Sequence, residues 1–268
     1  MDFVYPFTVV LYSLSLLCYF IDFMANNQKA NRIAFWLLCL VWGLQTVYFV
    51  LRMFEIGRFP IATPFEGLFF YAWSIVTVSI YINWKVKMDF LIFVINVLGF
   101  AIMSGSLFVS SDDSVPQSLL ASELLVLHVV FILLSYTGFA VAAATSVLYV
   151  LQHQLLKKRL WGKKLLRLGS LTQIEKSTFM TTAVSFPFFL SGVVWGMVWS
   201  YNQYGIVFWI DAQTLLSITA LAAYALYFYL RLTIVGKGYK AIWFNLVAFI
   251  VLLINYIASG QYTDFHTW

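Results

Sequence analysis

The sequence predicts an all-α polytopic membrane protein with eight transmembrane helices and both termini outside. Three observations predict it. Hydrophobic residues make up 62% of the 268-residue chain and charged residues only 10%, against about 25% charged in soluble domains. Apolar runs of about 20 residues, the length that crosses the hydrocarbon core, recur eight times along the chain. The lysines and arginines fall almost wholly on alternate connections between those runs, which sets orientation.

The spans are predicted near 4–24, 33–51, 65–83, 90–109, 124–152, 179–200, 213–233 and 242–258. The first has no basic region before it and no small-residue cleavage site soon after it, so it reads as a retained helix. Lys29 and Arg32 lead into the second, and Lys85 with Lys87 separate the third from the fourth. Thr63-Pro64-Phe65-Glu66 opens the third. Thr63 can cap, Pro64 suits the first helical position, and Glu66 can reach back as a capping box, a better reading than a functional membrane acid. The fifth span would reach roughly 43 Å at about 1.5 Å per residue, longer than the hydrocarbon thickness. It must tilt or project into water. Its Gly138, Ala142 and Ser146 form a row of small residues for close helix approach, which predicts a central position.

The longest connection, 153–178, carries Lys157, Lys158, Arg159, Lys163, Lys164, Arg167 and Lys176. Leu156, Leu160, Trp161, Leu165 and Leu168 share one helical face there, the pattern of a helix lying in the membrane interface. Arg231, Lys237 and Lys240 complete the basic side. The opposite side holds only Arg52 and Arg58. The cation-rich side is therefore the cytoplasmic one. No linker or low-complexity segment divides the chain, so residues 1–268 read as a single domain.

The net charge of +5 belongs to cations flanking spans and facing an anionic leaflet, and implies no nucleic-acid partner. Cys18 and Cys39 lie inside spans without C-x-x-C spacing, against thiol exchange or zinc binding. No Walker loop, Gly-x-Gly-x-x-Gly or Gly-x-Ser-x-Gly occurs. No span carries a central acid or base, as ion-coupled transport usually needs. These absences point away from an enzyme.

Histidine is what remains. His128 and His266, two of three in the chain, both fall on the cation-poor side, where two imidazoles can hold one haem iron from both faces. An aromatic-rich loop from Trp199 to Trp209, with Tyr204, Phe208 and the acid Asp211, lies on the same side. It offers a flat apolar face for a porphyrin or an ordinary interfacial belt. Asp211 can cap the seventh helix or orient a loop donor. His153, at the cytoplasmic end of the fifth span, is expected to be solvated.

From about residue 52 onward the chain resembles the CcsA/ResC/CcmC superfamily of cytochrome c assembly proteins, most closely its HemX branch. The likeness rests on Arg52-Met-Phe-Glu-Ile-Gly57-Arg-Phe-Pro60 with Pro64-Phe65-Glu66 and Trp73, and on Leu127-His128-Val129 with Tyr136 and Leu148-Tyr149. It continues through Leu168-Gly-Ser170-Leu171, Phe186-Pro187, Ser191-Gly192 and Trp199, and closes on Ser259-Gly260 and His266. The resemblance implies haem as ligand, with His128 and His266 as axial ligands flanking a tryptophan-rich loop. In the superfamily that loop runs Trp-Gly-x-x-Trp-x-Trp-Asp-Pro-Lys-Glu. Here it reads Tyr204-Gly205-Ile206-Val207-Phe208-Trp209-Ile210-Asp211-Ala212-Gln213-Thr214. Gly205 and Asp211 keep register, while Ile210 replaces a tryptophan and the Pro-Lys-Glu ending is lost. That departure favours the HemX-like branch over a working cytochrome c synthase.

The resemblance therefore implies a multi-pass protein of the bacterial cell membrane that acts in haem homeostasis and influences the level of glutamyl-tRNA reductase. Its partners would be membrane lipid, haem, and a cytoplasmic haem-synthesis enzyme or a second membrane assembly subunit. Two rivals stand beside it. One is a haem-handling or export subunit in cytochrome c maturation, and the other a membrane scaffold docking an enzyme through the basic 153–178 connection.

Overall fold

The computed structural model describes residues 4–61, 63–86, 88–109, 122–159, 169–207, 209, 211–233 and 238–258. Among them are eight helices, each long and apolar enough to cross a membrane. These are α1 (Val4–Ala25), α2 (Gln28–Ile56), α3 (Pro64–Val86), α4 (Asp89–Gly105), α5 (Glu123–Lys157), α6 (Leu171–Tyr204), α7 (Ala212–Leu232) and α8 (Tyr239–Ala258). A 3₁₀ turn, Ser106–Phe108, extends α4. No strand occurs among the described residues. The helices divide into two compact units, Met1–Asp113 and Ser114–Trp268.

All eight predicted spans are present, and the largest differences are at ends where polar residues carry a helix beyond hydrocarbon. Helix α2 starts at Gln28 because Asn27 caps it, accepting from the backbone N–H of Lys29 and Ala30. It ends on Gly57, whose φ of 67° gives the left-handed C-cap that glycine allows. Helix α6 starts at Leu171, behind a Ser170 cap, well before the predicted 179. Helix α5 runs on to Lys157. Of the connection predicted over 153–178, the two ends are therefore continuations of α5 and α6. Its centre, with Leu160, Trp161, Leu165 and Leu168, lies outside the described residues.

The first unit is built polar side inward, as lipid outside requires. Helix α1 buries Tyr5, Thr8, Tyr12, Ser15, Tyr19 and Asp22 at alternating steps of three and four. Phe7, Val10, Leu14, Leu17, Phe20, Ile21 and Met24 are exposed. Backbone and side-chain hydrogen-bonding groups in hydrocarbon must be satisfied within the protein, and the buried row is. The Tyr5 hydroxyl donates to Met103 O at 2.6 Å and Tyr12 to Asn96 Oδ1 at 2.9 Å. Ser15 donates to Ala34 O at 2.8 Å, and Asp22 accepts from Asn31 at 3.0 Å. Between α2 and α3 the Trp42 indole donates to Thr77 Oγ1 and the Trp73 indole to Thr46 Oγ1, at 2.9 and 3.0 Å. Each threonine bonds back to the tryptophan one turn before it.

The start of α3 is the capping box that the sequence predicts. Thr63 N–H donates to Glu66 Oε2 at 3.2 Å and Glu66 N–H to Thr63 Oγ1 at 3.3 Å. Arg58 adds a two-pronged ion pair to the Glu66 carboxylate, at 2.9 and 3.3 Å. Removing one partner of a buried pair leaves the other uncompensated. Glu66→Ala is therefore expected to cost about 2–4 kcal/mol in reversible unfolding from detergent. Glu66→Gln, which keeps a capping oxygen, should lose about half as much; equal losses would remove the cap from the account.

In the second unit α5 packs against α6 and α8, and α7 against α8 and α6. From Leu133 to Val150 the α5 side chains are largely buried, matching the expected central position within this unit. Phe139 stacks on Tyr224 with centroids 3.9 Å apart. Ser146 bonds Asn245 at 3.1 Å, and Asn245 donates to Thr182 at 3.0 Å, tying α5, α8 and α6. Because hydrogen bonds within membranes average only about 0.6 kcal/mol, Asn245→Leu is expected to cost about 1 kcal/mol in the same unfolding measurement.

Candidate functional site

His128 sits on the second turn of α5, half-buried against α6. Three close approaches hold the two helices together. A Cβ on Gly138 would run into Ser185, one on Gly192 would lie 2.8 Å from Ile132, and one on Gly196 would lie 2.6 Å from His128 Nδ1. The row of small residues named from the sequence thus does what it predicts at Gly138. The glycines that matter most to the histidine are on the facing helix.

Gly192 supplies more than space. His128 Nδ1 lies 2.7 Å from Gly192 O. A carbonyl only accepts, so the proton of this bond is on Nδ1, and in the neutral ring that leaves Nε2 with the electron pair. A backbone carbonyl holding one ring nitrogen so that the other faces a metal is the usual support of a ligating histidine. Gly192 O holds one ring nitrogen, and the missing side chain of Gly196 leaves the ring its place.

The other predicted site residues divide. Trp199, one turn beyond Gly196, is buried at 2% exposure and meets Tyr204 edge-on, centroids 6.2 Å apart. Tyr204 and Trp209 are exposed. Helix α6 ends at Gly205, which has a φ of 72° and donates to Tyr201 O at 2.8 Å. Ser200 Oγ then holds Ile206 O at 3.0 Å, turning the loop back. Asp211 caps α7, accepting from Gln213 and Thr214 N–H at 3.0 and 3.4 Å, so the capping alternative is the one realised. His266 and Phe208 lie outside the described residues.

His153 is corrected. It is half-buried, with its ring 4.7 Å from Tyr239 and parallel to Tyr149, because the start of α8 covers that side of α5. Sequence reasoning missed Gly196 altogether. The pattern Gly192-x-x-x-Gly196, one turn apart on a helix facing a histidine-bearing helix, was the available signal.

The cytochrome c assembly protein model matches residues 61–266. The chain belongs to the cytochrome c assembly protein family. The match begins just before α3, crosses both units and ends on His266. Within the family the chain is similar to the protein HemX of Bacillus subtilis, 40% identical over 97% of this chain and 95% of that one. It is 39% identical to the HemX of Brevibacillus brevis, over 99% of this chain and 97% of that one. Likeness to the cytochrome c biogenesis protein CcsA of Guillardia theta is 22%, over 79% of this chain and 77% of that one. The family member described here is a multi-pass bacterial membrane protein of the HemX-like kind.

Proposed function

We propose that this protein binds haem on its cation-poor side, with His128 Nε2 and His266 as axial ligands, and acts in haem homeostasis without catalysing a reaction. The observation that carries the proposal is the Nδ1–H bond from His128 to Gly192 O. The donor set suits the group: a neutral imidazole, oriented by a backbone acceptor, with Nε2 unprotonated. Bound haem would supply an iron that takes imidazole nitrogen as a ligand. The chain's own residues do the rest. Gly192 O keeps the proton on Nδ1, Gly196 leaves the ring its place, and His266 at the end of the chain supplies the second imidazole. Tyr204, Trp209 and Phe208 offer aromatic surface to the porphyrin, while Trp199 braces Tyr204 and Asp211 holds the loop's far end.

Influence on the level of glutamyl-tRNA reductase is the output we favour. Its support is the much closer likeness to HemX than to CcsA, together with the replacement of three loop tryptophans by Tyr204, Phe208 and Ile210 and the loss of the Pro-Lys-Glu ending. The test is a strain lacking the chromosomal copy, complemented with wild type, His128→Ala or His266→Ala. Both variants are expected to disturb reductase level by immunoblot while holocytochrome c stays normal. Lost holocytochrome c with unchanged reductase would select the cytochrome c maturation reading. Histidine variants that behave as wild type, with Lys157, Lys158 and Lys163 required for pull-down of the reductase, would select the scaffold.

A further inference from the structure

The cation-poor side of the chain is also an acid-bearing one, and the two facts meet at the helix that carries His128. From the end of α4 onward that side holds Asp112, Asp113, Glu123, Asp211 and Asp264, and no lysine or arginine. Two helices of the second unit, α5 and α7, begin there, and a helix N-terminus offers free N–H groups and a partial positive charge. Both are already matched by the chain's own acids. Asp211 caps α7, accepting from Gln213 and Thr214 N–H at 3.0 and 3.4 Å, and Glu123 stands in the first turn of α5. Glu123 is exposed, and five residues, about 7.5 Å along the axis, separate it from His128.

Haem brings two propionates, and ionised carboxylates in such surroundings meet repulsion instead of a partner. At that separation in water one unit charge alters the binding of another by about two- to threefold, and several acids act together. The iron is the part of the ligand whose charge can answer them: a ferric porphyrin carries one positive charge more than a ferrous one. The bond from His128 Nδ1 to Gly192 O, at 2.7 Å, works in the same direction. A carbonyl holding Nδ1–H makes Nε2 the more basic ligand, and a basic nitrogen favours the more highly charged iron.

Resting on the haem reading above, we infer that this site takes ferric haem, with its propionates left in water, as a reversible ligand. Without a cation to hold the carboxylates, the porphyrin is kept by axial nitrogen and aromatic surface. It can leave as free haem falls, which suits a protein that reports a level more than one that stores a cofactor.

Equilibrium titrations of the full-length protein in a non-ionic detergent, read by the axial-ligand absorption bands, test this. Ferric haem is expected to bind about fivefold more tightly than haem kept ferrous under dithionite without oxygen. Raising sodium chloride from about 0.03 to about 0.3 M, which shortens the screening length, should tighten ferric binding about threefold instead of weakening it. Glu123→Gln should tighten it about twofold and Glu123→Arg about fivefold, with a smaller salt effect in both; circular dichroism confirms that the helices persist. The dimethyl ester of ferric haem lacks the propionate charges and is a net cation, so its binding should weaken in Glu123→Arg. Ferrous haem bound as tightly as ferric would overturn the inference. So would ferric binding that weakens with salt, which would mean that a cation holds the propionates. A folded protein with no haem band in either oxidation state would overturn it together with the reading beneath it.

Discussion

His128→Ala is expected to abolish the low-spin spectrum of purified protein reconstituted with haem and to lower haem affinity by more than about 100-fold. Loss of a supporting partner alone costs roughly 10–100-fold, and loss of the ligand itself must exceed it. The fold should survive, because Gly192 O has a second lone pair and a place in the helix ladder of α6. His128→Gly is the more telling variant. It opens a hole beside Gly196 that free imidazole can enter, and imidazole added at millimolar concentration should restore the low-spin bands. A His128→Gly protein that folds, binds haem as wild type does and ignores imidazole would end the ligand assignment.

Gly196→Val is expected to have the second largest effect, without replacing either proposed ligand. The added Cβ would lie 2.6 Å from Nδ1 and 2.7 Å from Cε1 of His128, closer than atoms approach. The ring must swing away, which breaks its bond to Gly192 O and turns Nε2. Overpacking of this kind costs about 1–3 kcal/mol, while haem affinity should fall by about 10–100-fold. Gly43→Val is the control, since nothing lies within 4 Å of a Cβ there. Absorption titrations of the two variants should separate sharply. If they coincide, Gly196 does not position the histidine.

The membrane architecture is legible in this sequence because the hydrocarbon imposes one requirement on every span. Eight apolar runs gave eight helices, and Thr63-Pro64-Phe65-Glu66 and Asp211 formed the caps their spacing suggests. The helix ends were less legible. Gln28–Arg32 and Leu171–Lys176 are polar stretches with adequate helix propensity, and apolar length says nothing about where such residues stop being helical. The site was half legible. His128 stands out by rarity, but its orientation depends on Gly192, 64 positions away, and on Gly196 one turn further, which are meaningful only once α5 and α6 lie together. His153 misled for the same reason: its neighbours in sequence are glutamines, while its neighbours in space are tyrosines.

The hydroxyl row of α1 has a consequence for how the chain is made. Tyr12 and Asn96 are 84 positions apart, and Tyr5 waits for Met103 on the same helix. At about 5–20 residues per second, ribosomes need roughly 4–17 s to bridge that interval. A helix α1 that entered the bilayer as it was made would carry the Tyr12 hydroxyl there before its partner on α4 existed. Helix α2 arrives early enough to serve Ser15 and Asp22, so the nascent pair α1–α2 holds while the tyrosines lack their acceptors. The first half of this protein is therefore completed last-to-first: the final helix to leave the ribosome is the one that closes the face of the first.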